Sequence, residues 1–207
     1  MSGLIRRGTG ENIRAVIWDN DLRGFTALAD GLASEALNKL LNEYFEIMAG
    51  AVMSEGGEVL KFIGDGMLAI FEVRDTAALA NACDAALRAA RKAAGAIEKC
   101  NLERIAAGEP PIRYGIALHL GEVYYGNIGA PGRLDFTVIG PAVNHASRLE
   151  KVASELGRTV VTSASFAAVS PKSLESLGFH QLRGVPEPQE LFSPARELPT
   201  APTPDRE

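Results

Sequence analysis

Two aspartates 44 positions apart in a chain of 207 residues, Asp21 in DLRGFT and Asp65 in LKFIGDGMLAIF, each close a run of β-forming residues. Residues 14–20, RAVIWDN, run into Gly24, which predicts a strand followed by a turn, with Asp21 at the strand's C-terminal end. Residues 58–63 and 67–71 flank Gly64-Asp65-Gly66, and the positive φ open to glycine makes this a tight hairpin. Two strand-end carboxylates suffice to hold magnesium on a nucleotide, because phosphate oxygens and water complete the octahedron. The pair reads as a two-metal nucleotide site built on a sheet.

The intervening chain supplies the rest of that sheet's architecture. From Ser34, read as an N-cap, apolar side chains recur at Leu37, Leu40, Leu41, Tyr44, Phe45, Met48 and Val52, the period of an amphipathic helix that ends near Gly56-Gly57. Asp75 is expected to cap a second long helix to about residue 106, ended by Gly108 and Pro110-Pro111. A second hairpin is predicted from residues 112–119 and 122–128, then a strand over 136–138 and a helix over 141–156. A short strand (159–162), a short helix (165–169) and a closing hairpin around Leu182 and Leu191 follow. The order βαββαβ predicts an α+β, ferredoxin-like palm: helices packed on one face of an antiparallel sheet, with extra C-terminal α/β elements. Residues 1–13 are expected to be a lead-in, 14–193 one domain, and 194–207 a proline-rich disordered tail.

Composition narrows the classes of function. With 46% apolar residues the chain can bury a core, and a net charge of −5 without a Lys/Arg stripe argues against nucleic acid as a partner. Cys83 and Cys100 share one alanine-rich stretch with no CxxC spacing, so both read as buried structural thiols. No apolar run approaches the roughly 18–20 residues that span a bilayer, and no signal-peptide core is visible. The expectation is a cytoplasmic chain without membrane contact.

In order and spacing, DLRGFT, LNEYFEIM, LKFIGDGMLAIF, GIALHLGEVYYGNIG, RLDFTVIG and AVNHASRLE resemble the class III nucleotidyl cyclase catalytic domain over residues 14–193. The resemblance implies an adenylate cyclase that converts ATP to 3′,5′-cyclic AMP and pyrophosphate with two divalent ions, Mg²⁺ or Mn²⁺. It also implies a head-to-tail homodimer with two composite sites. Asp21 and Asp65 match the metal-binding aspartates, with the Leu22 carbonyl as an additional ligand. The amides of Gly24, Phe25 and Thr26 would cradle the β- and γ-phosphates, as free N–H groups at a helix start can. Lys61 and Thr137 match the purine-reading pair and would act from the opposite protomer. A lysine donates to adenine N1 and a threonine hydroxyl accepts from N6, whereas guanine presents the reverse polarity, so ATP is favoured over GTP.

Asn144 and Arg148, four apart and so on one helical face, match the family's transition-state residues: Asn144 orients the ribose and Arg148 meets charge building on the α-phosphate. Arg158 in LGRTVVTS and Arg183 in QLRGVPEP fall where the family has basic phosphate contacts. His119 reads as a structural imidazole, and neither His145 nor His180 has a partner that would make it a ligand or base. Two positions depart from the family: Asp19, which shares a strand face with Asp21, and Pro141, which suits a first helical position. No side chain is an obvious general base; water and the substrate phosphates are the alternatives. Guanylate or mixed specificity and a nucleotide-binding regulatory pseudo-cyclase are the rival readings. The lead-in IRRGTGE resembles the junction at which related cyclases receive a sensor or transducer segment.

Overall fold

The computed structural model describes residues 10–130, 133–170 and 174–195. Its central strand, β1 (Gly10–Leu22), carries an unbroken apolar run, Ala15 to Trp18, all fully buried. Such a run suits a strand covered on both faces. β1 pairs antiparallel with β3 (Gly66–Val73) on one side and along its whole length with β4 (Tyr114–Ala130) on the other. β2 (Glu58–Ile63) lies outside β3, while β6 (Val160–Ser163), β8 (Gln189–Pro194) and β7 (Leu174–His180) continue the sheet beyond β4 in that order. β5 (Arg133–Ile139) pairs with the distal half of β4. Among the described residues only the β4–β6 contact is parallel.

Helices cover both faces. α1 (Phe25–Gly31) is a short helix directly after β1. α2 (Ser34–Ser54) and α3 (Leu79–Ala106) set Leu40, Tyr44, Met48, Val52 and an alanine stripe of α3 against Val16, Trp18 and Phe71. α4 (Pro141–Glu155) lies on the opposite face, with Ala142 and Ala146 on Ala15, Ile17, Leu68 and Ile70, and Leu149 and Ala153 beside Ala117 and Val161. α5 (Ala164–Ala167) is a single turn. The βαββαβ core with its two long helices on one face is present as expected; α4 adds a layer on the other.

Several local expectations are corrected. The second hairpin does not exist: β4 runs straight through Leu120-Gly121. A Cβ on Gly121 would stand 2.7 Å from the Ala142 Cβ and 3.0 Å from His119 Nε2, so this glycine admits α4 rather than turning the chain. Ser34 is the first helical residue and Ala33 the N-cap, without a side-chain cap bond. Asp75 caps a 3₁₀ turn, Thr76–Ala78, that leads into α3. β1 starts at Gly10, inside the expected lead-in, and Leu182 sits buried in the β7–β8 loop rather than on a strand. Pro194 closes β8, and residues 196–207 of the expected tail lie outside the described residues. Cys83 is buried but Cys100 is only partly so.

Gly121→Val should separate α4 from the sheet and cost about 1–3 kcal/mol, as overpacking of a filled interior typically does. Chemical denaturation measures it; an unchanged midpoint would contradict the close-approach role.

Candidate active site

The β2–β3 turn and the end of β1 are forced together by backbone geometry. Gly64 takes φ 62 as the first residue of a two-residue turn between the paired Ile63 and Gly66. Gly66, expected to share that positive φ, does not; it is required for another reason. A Cβ on it would stand 2.7 Å from the Asn20 carbonyl and 3.3 Å from Asp21 Oδ1. Asn20 is itself buried, accepting from Trp18 Nε1 (2.5 Å) and donating to the Tyr44 hydroxyl (2.6 Å), which ties the end of β1 to α2. Asp21 and Asp65 thereby line one cleft of about 200 Å³ with Asp19, Asn20, Ile63, Met67, Leu68 and Ser147.

The electrostatics of this cleft are dominated by buried carboxylates that raise one another. Asp19 and Asp21 alternate with Asn20 on β1 and so face α4, continuing the row of Ala15 and Ile17. Burial, then Glu150 of α4, pushes the Asp19 carboxyl up to about 7, against a smaller opposing effect of Lys151. Burial also raises Asp21, as do Asp65, which shares a hydrogen bond with it, and Glu150. Two hydrogen-bonded carboxylates in a desolvated cleft fit a divalent ion, whose charge would offset this repulsion. Among the described residues no group of three or more His, Cys, Asp or Glu side chains is disposed to hold a metal alone. Two carboxylates suit an ion delivered with a polyphosphate, whose oxygens and water would complete its coordination.

Gly24, in the left-handed conformation (φ 72), is the N-cap of α1, and Phe25 and Thr26 open the helix as expected. Lys61 is exposed on β2, next to an irregularity in its pairing with β3. Thr137 on β5 is buried, and its hydroxyl has no partner. The β4–β5 arm curls over the α4 face toward β2: Tyr125 donates to Glu58, and Leu60 and Val138, neighbours of Lys61 and Thr137, join one apolar cluster. Asn144 is exposed on α4; Arg148 reaches toward Gly184, the residue after Arg183, with Nη2 3.6 Å from where a Cβ of Gly184 would stand. Arg158 pairs with Glu175 at 3.7 Å.

The structure thus brings Asp21 and Asp65 together, Lys61 and Thr137 onto adjoining strands, and Arg148 beside the Arg183 loop. It does not bring these sets into one cleft: α4 contributes Ser147 to the carboxylate cleft, and neither Asn144 nor Arg148 lines it. His119 bonds Ser163 through Nδ1 (2.9 Å) and stacks on His145, and burial holds it down at about 4. His180 contacts the Leu177 carbonyl. Sequence reasoning missed Glu150 and Arg23, which flank the cleft. Glu150 falls on the buried side of α4, four residues after Ala146 and three before Ala153, and a charge at that phase of an apolar stripe was the available signal.

A strand-end carboxylate pair on a palm-like sheet has the donor chemistry that a metal-bound nucleotide needs. The family model described as "Adenylate and Guanylate cyclase catalytic domain" matches residues 13–189, and the chain belongs to this family. It is 34% identical over 165 residues to an adenylate cyclase of Anabaena cylindrica, covering 78% of this chain and 32% of that protein. The chain therefore spans about a third of that relative's length. The adenylyl cyclase CyaB from P. aeruginosa superposes with a TM-score of 0.78 at 25% identity, over 91% of this chain and 97% of that one. The guanylyl cyclase Cya2 superposes equally well, TM-score 0.78 at 28% identity, over 91% and 94%.

Because Asp19 and Asp21 are raised above their unfolded values, the stability they contribute is full below about pH 4 and lost as pH rises through about 7. Asp19→Asn should stabilise the metal-free protein at pH 8 by on the order of 2 kcal/mol and far less at pH 5. Thermal unfolding at the two pH values checks this; an equal gain at both would show that the carboxylate charge is not the cause.

Proposed function

We propose that this chain is the catalytic domain of an adenylate cyclase, forming 3′,5′-cyclic AMP and pyrophosphate from ATP at composite sites shared by two protomers. The observation that carries the reading is the division of labour within one chain. Asp21 and Asp65 share a cleft that Lys61, Thr137, Asn144 and Arg148 do not line, so a complete site needs a second copy. Support for self-association comes from the strands bearing Lys61 and Thr137, which also expose Phe62, Ile63, Phe136 and Ile139, each about half accessible.

Asp21, Asp65 and the Leu22 carbonyl would hold two divalent ions, Mg²⁺ or Mn²⁺, whose chemistry is to acidify the ribose 3′-hydroxyl and neutralise phosphate charge. The amides of Gly24, Phe25 and Thr26, with Arg158 and Arg183, would bind the polyphosphate. From the partner, the Asn144 side chain would orient the ribose, and the Arg148 guanidinium would stabilise charge building at the α-phosphate, where losing one such donor typically costs about 10²- to 10³-fold. Lys61 would donate to adenine N1. Thr137 offers a buried hydroxyl with no protein partner, as a group reserved for the adenine amine should be. In-line attack of the 3′-oxygen on the α-phosphorus expels pyrophosphate, and the 3′-proton leaves to water or a phosphate oxygen.

Purified protein incubated with ATP or GTP and Mn²⁺ should yield cyclic AMP from ATP, and Asp65→Asn should yield none; chromatography of the products decides. Cyclic GMP as the main product would move the assignment to guanylate cyclase. Nucleotide binding without product would favour a regulatory pseudo-cyclase. Lys61→Glu combined with Thr137→Cys should lower ATP turnover by about 10²-fold or more, since mismatched buried donors and acceptors are strongly rejected. Unchanged ATP preference would place purine reading elsewhere.

A further inference from the structure

Arg23 follows the Leu22 carbonyl and precedes Gly24, in the middle of the turn assigned to metal and phosphate. Its side chain points away from solvent. Arg23 Nη2 donates to the Ala153 carbonyl in the last turn of α4 (3.2 Å) and to the Arg158 carbonyl just beyond it. A helix C-terminus presents unpaired carbonyls and partial negative charge, so it is a favourable seat for a guanidinium. The Arg23 backbone is fixed as well, its N–H donating to the Arg113 carbonyl at 2.8 Å.

Glu150, one turn earlier on α4 and only 7% exposed, opposes that guanidinium by its charge through space rather than by an ion pair. Both groups converge over Gly115, the residue paired with Asp21 in the β1–β4 register. Measured from the point where a Cβ on Gly115 would stand, Glu150 Oε1 is at 2.5 Å and Arg23 Nη2 at 3.3 Å. Any side chain at position 115 would displace one or both. A buried carboxylate and a partly buried guanidinium close over the glycine paired with Asp21 form a built arrangement in which each charge acts on the other through space.

Resting on the cyclase reading above, we propose that Glu150 and Arg23 are positioning residues: a clamp that anchors the turn carrying Asp21 and the Leu22 carbonyl to the C-terminal end of α4, setting the affinity of its own protomer's half-site for metal–nucleotide. Glu150 touches neither the ions nor the nucleotide. It acts by its charge, on Arg23, whose own bonds to the carbonyls at the end of α4 hold the turn, and on Asp21. Outer-shell carboxylates of this kind typically change metal affinity by about 10- to 100-fold when removed. Because α4 also bears Asn144 and Arg148, the same clamp joins the two half-sites that one protomer contributes to different composite sites.

The test is Mn²⁺ binding in the presence of 3′-deoxy-ATP, which cannot cyclise, followed by the loss of free-ion EPR signal. Glu150→Gln should weaken binding about tenfold, Glu150→Asp should recover part of the loss, and in turnover assays the change should fall on Mn²⁺ half-saturation and KM rather than kcat. A buried pair is often replaceable by apolar residues without loss of stability, so Arg23→Met with Glu150→Leu supplies a folded variant lacking the clamp, and it should be equally weak. Wild-type affinity in both variants, with cooperative thermal unfolding intact, would overturn the clamp while leaving the cyclase reading untouched. Failure of the wild type to bind Mn²⁺ with the nucleotide would overturn the metal site itself, and the clamp with it.

Discussion

The pairing of β1 with β4 along its full length is the interaction on which the rest of the molecule depends. It places a fully covered strand at the centre of the sheet and fixes the register at which Asp21 meets Gly115. From that register follow the cleft between β1 and the β2–β3 turn, the row of Asp19 and Asp21 facing α4, and the space over Gly115 that Arg23 and Glu150 fill. A one-residue slip would turn both aspartates toward α2 and α3 and bring Trp18 to the α4 side. Burial of Trp18 against α2 and α3, and its bond to Asn20, hold the register against that slip.

The cleft keeps several carboxylates close together with no basic side chain among its lining residues. Desolvation dominates for Asp19 and Asp21, and neighbouring acids add to it. On the proposed cyclase reading, a divalent cation bound there would offset that repulsion. Arg23 and Lys151 temper that field from the α4 side.

The outline of the fold was legible where local chemistry decides: the apolar stripe of α2, the Gly64-Asp65 turn, the Pro141 start of α4 and the turn at Gly24. What was not legible depended on tertiary contact. Gly121 reads as a hairpin glycine because a glycine between two β-forming runs carries no mark of whether it turns the chain or lets a helix approach. Ser34 reads as a cap because serine favours that position, yet the chain enters α2 one residue earlier. The candidate site residues came from motif resemblance and from strand-end placement. Glu150 and Arg23 escaped because their partners are 127 positions apart in the sequence and meet only once α4 is laid across the sheet.

On the proposed reading each protomer carries half of two sites, and mixing two differently disabled proteins reads this out. Asp21→Ala and Lys61→Ala homodimers should both be inactive, and combining the two proteins should restore cyclic AMP synthesis through the one hybrid site that retains Asp21 from one chain and Lys61 from the other. Verified heterodimers with no recovered activity would contradict the shared-site account.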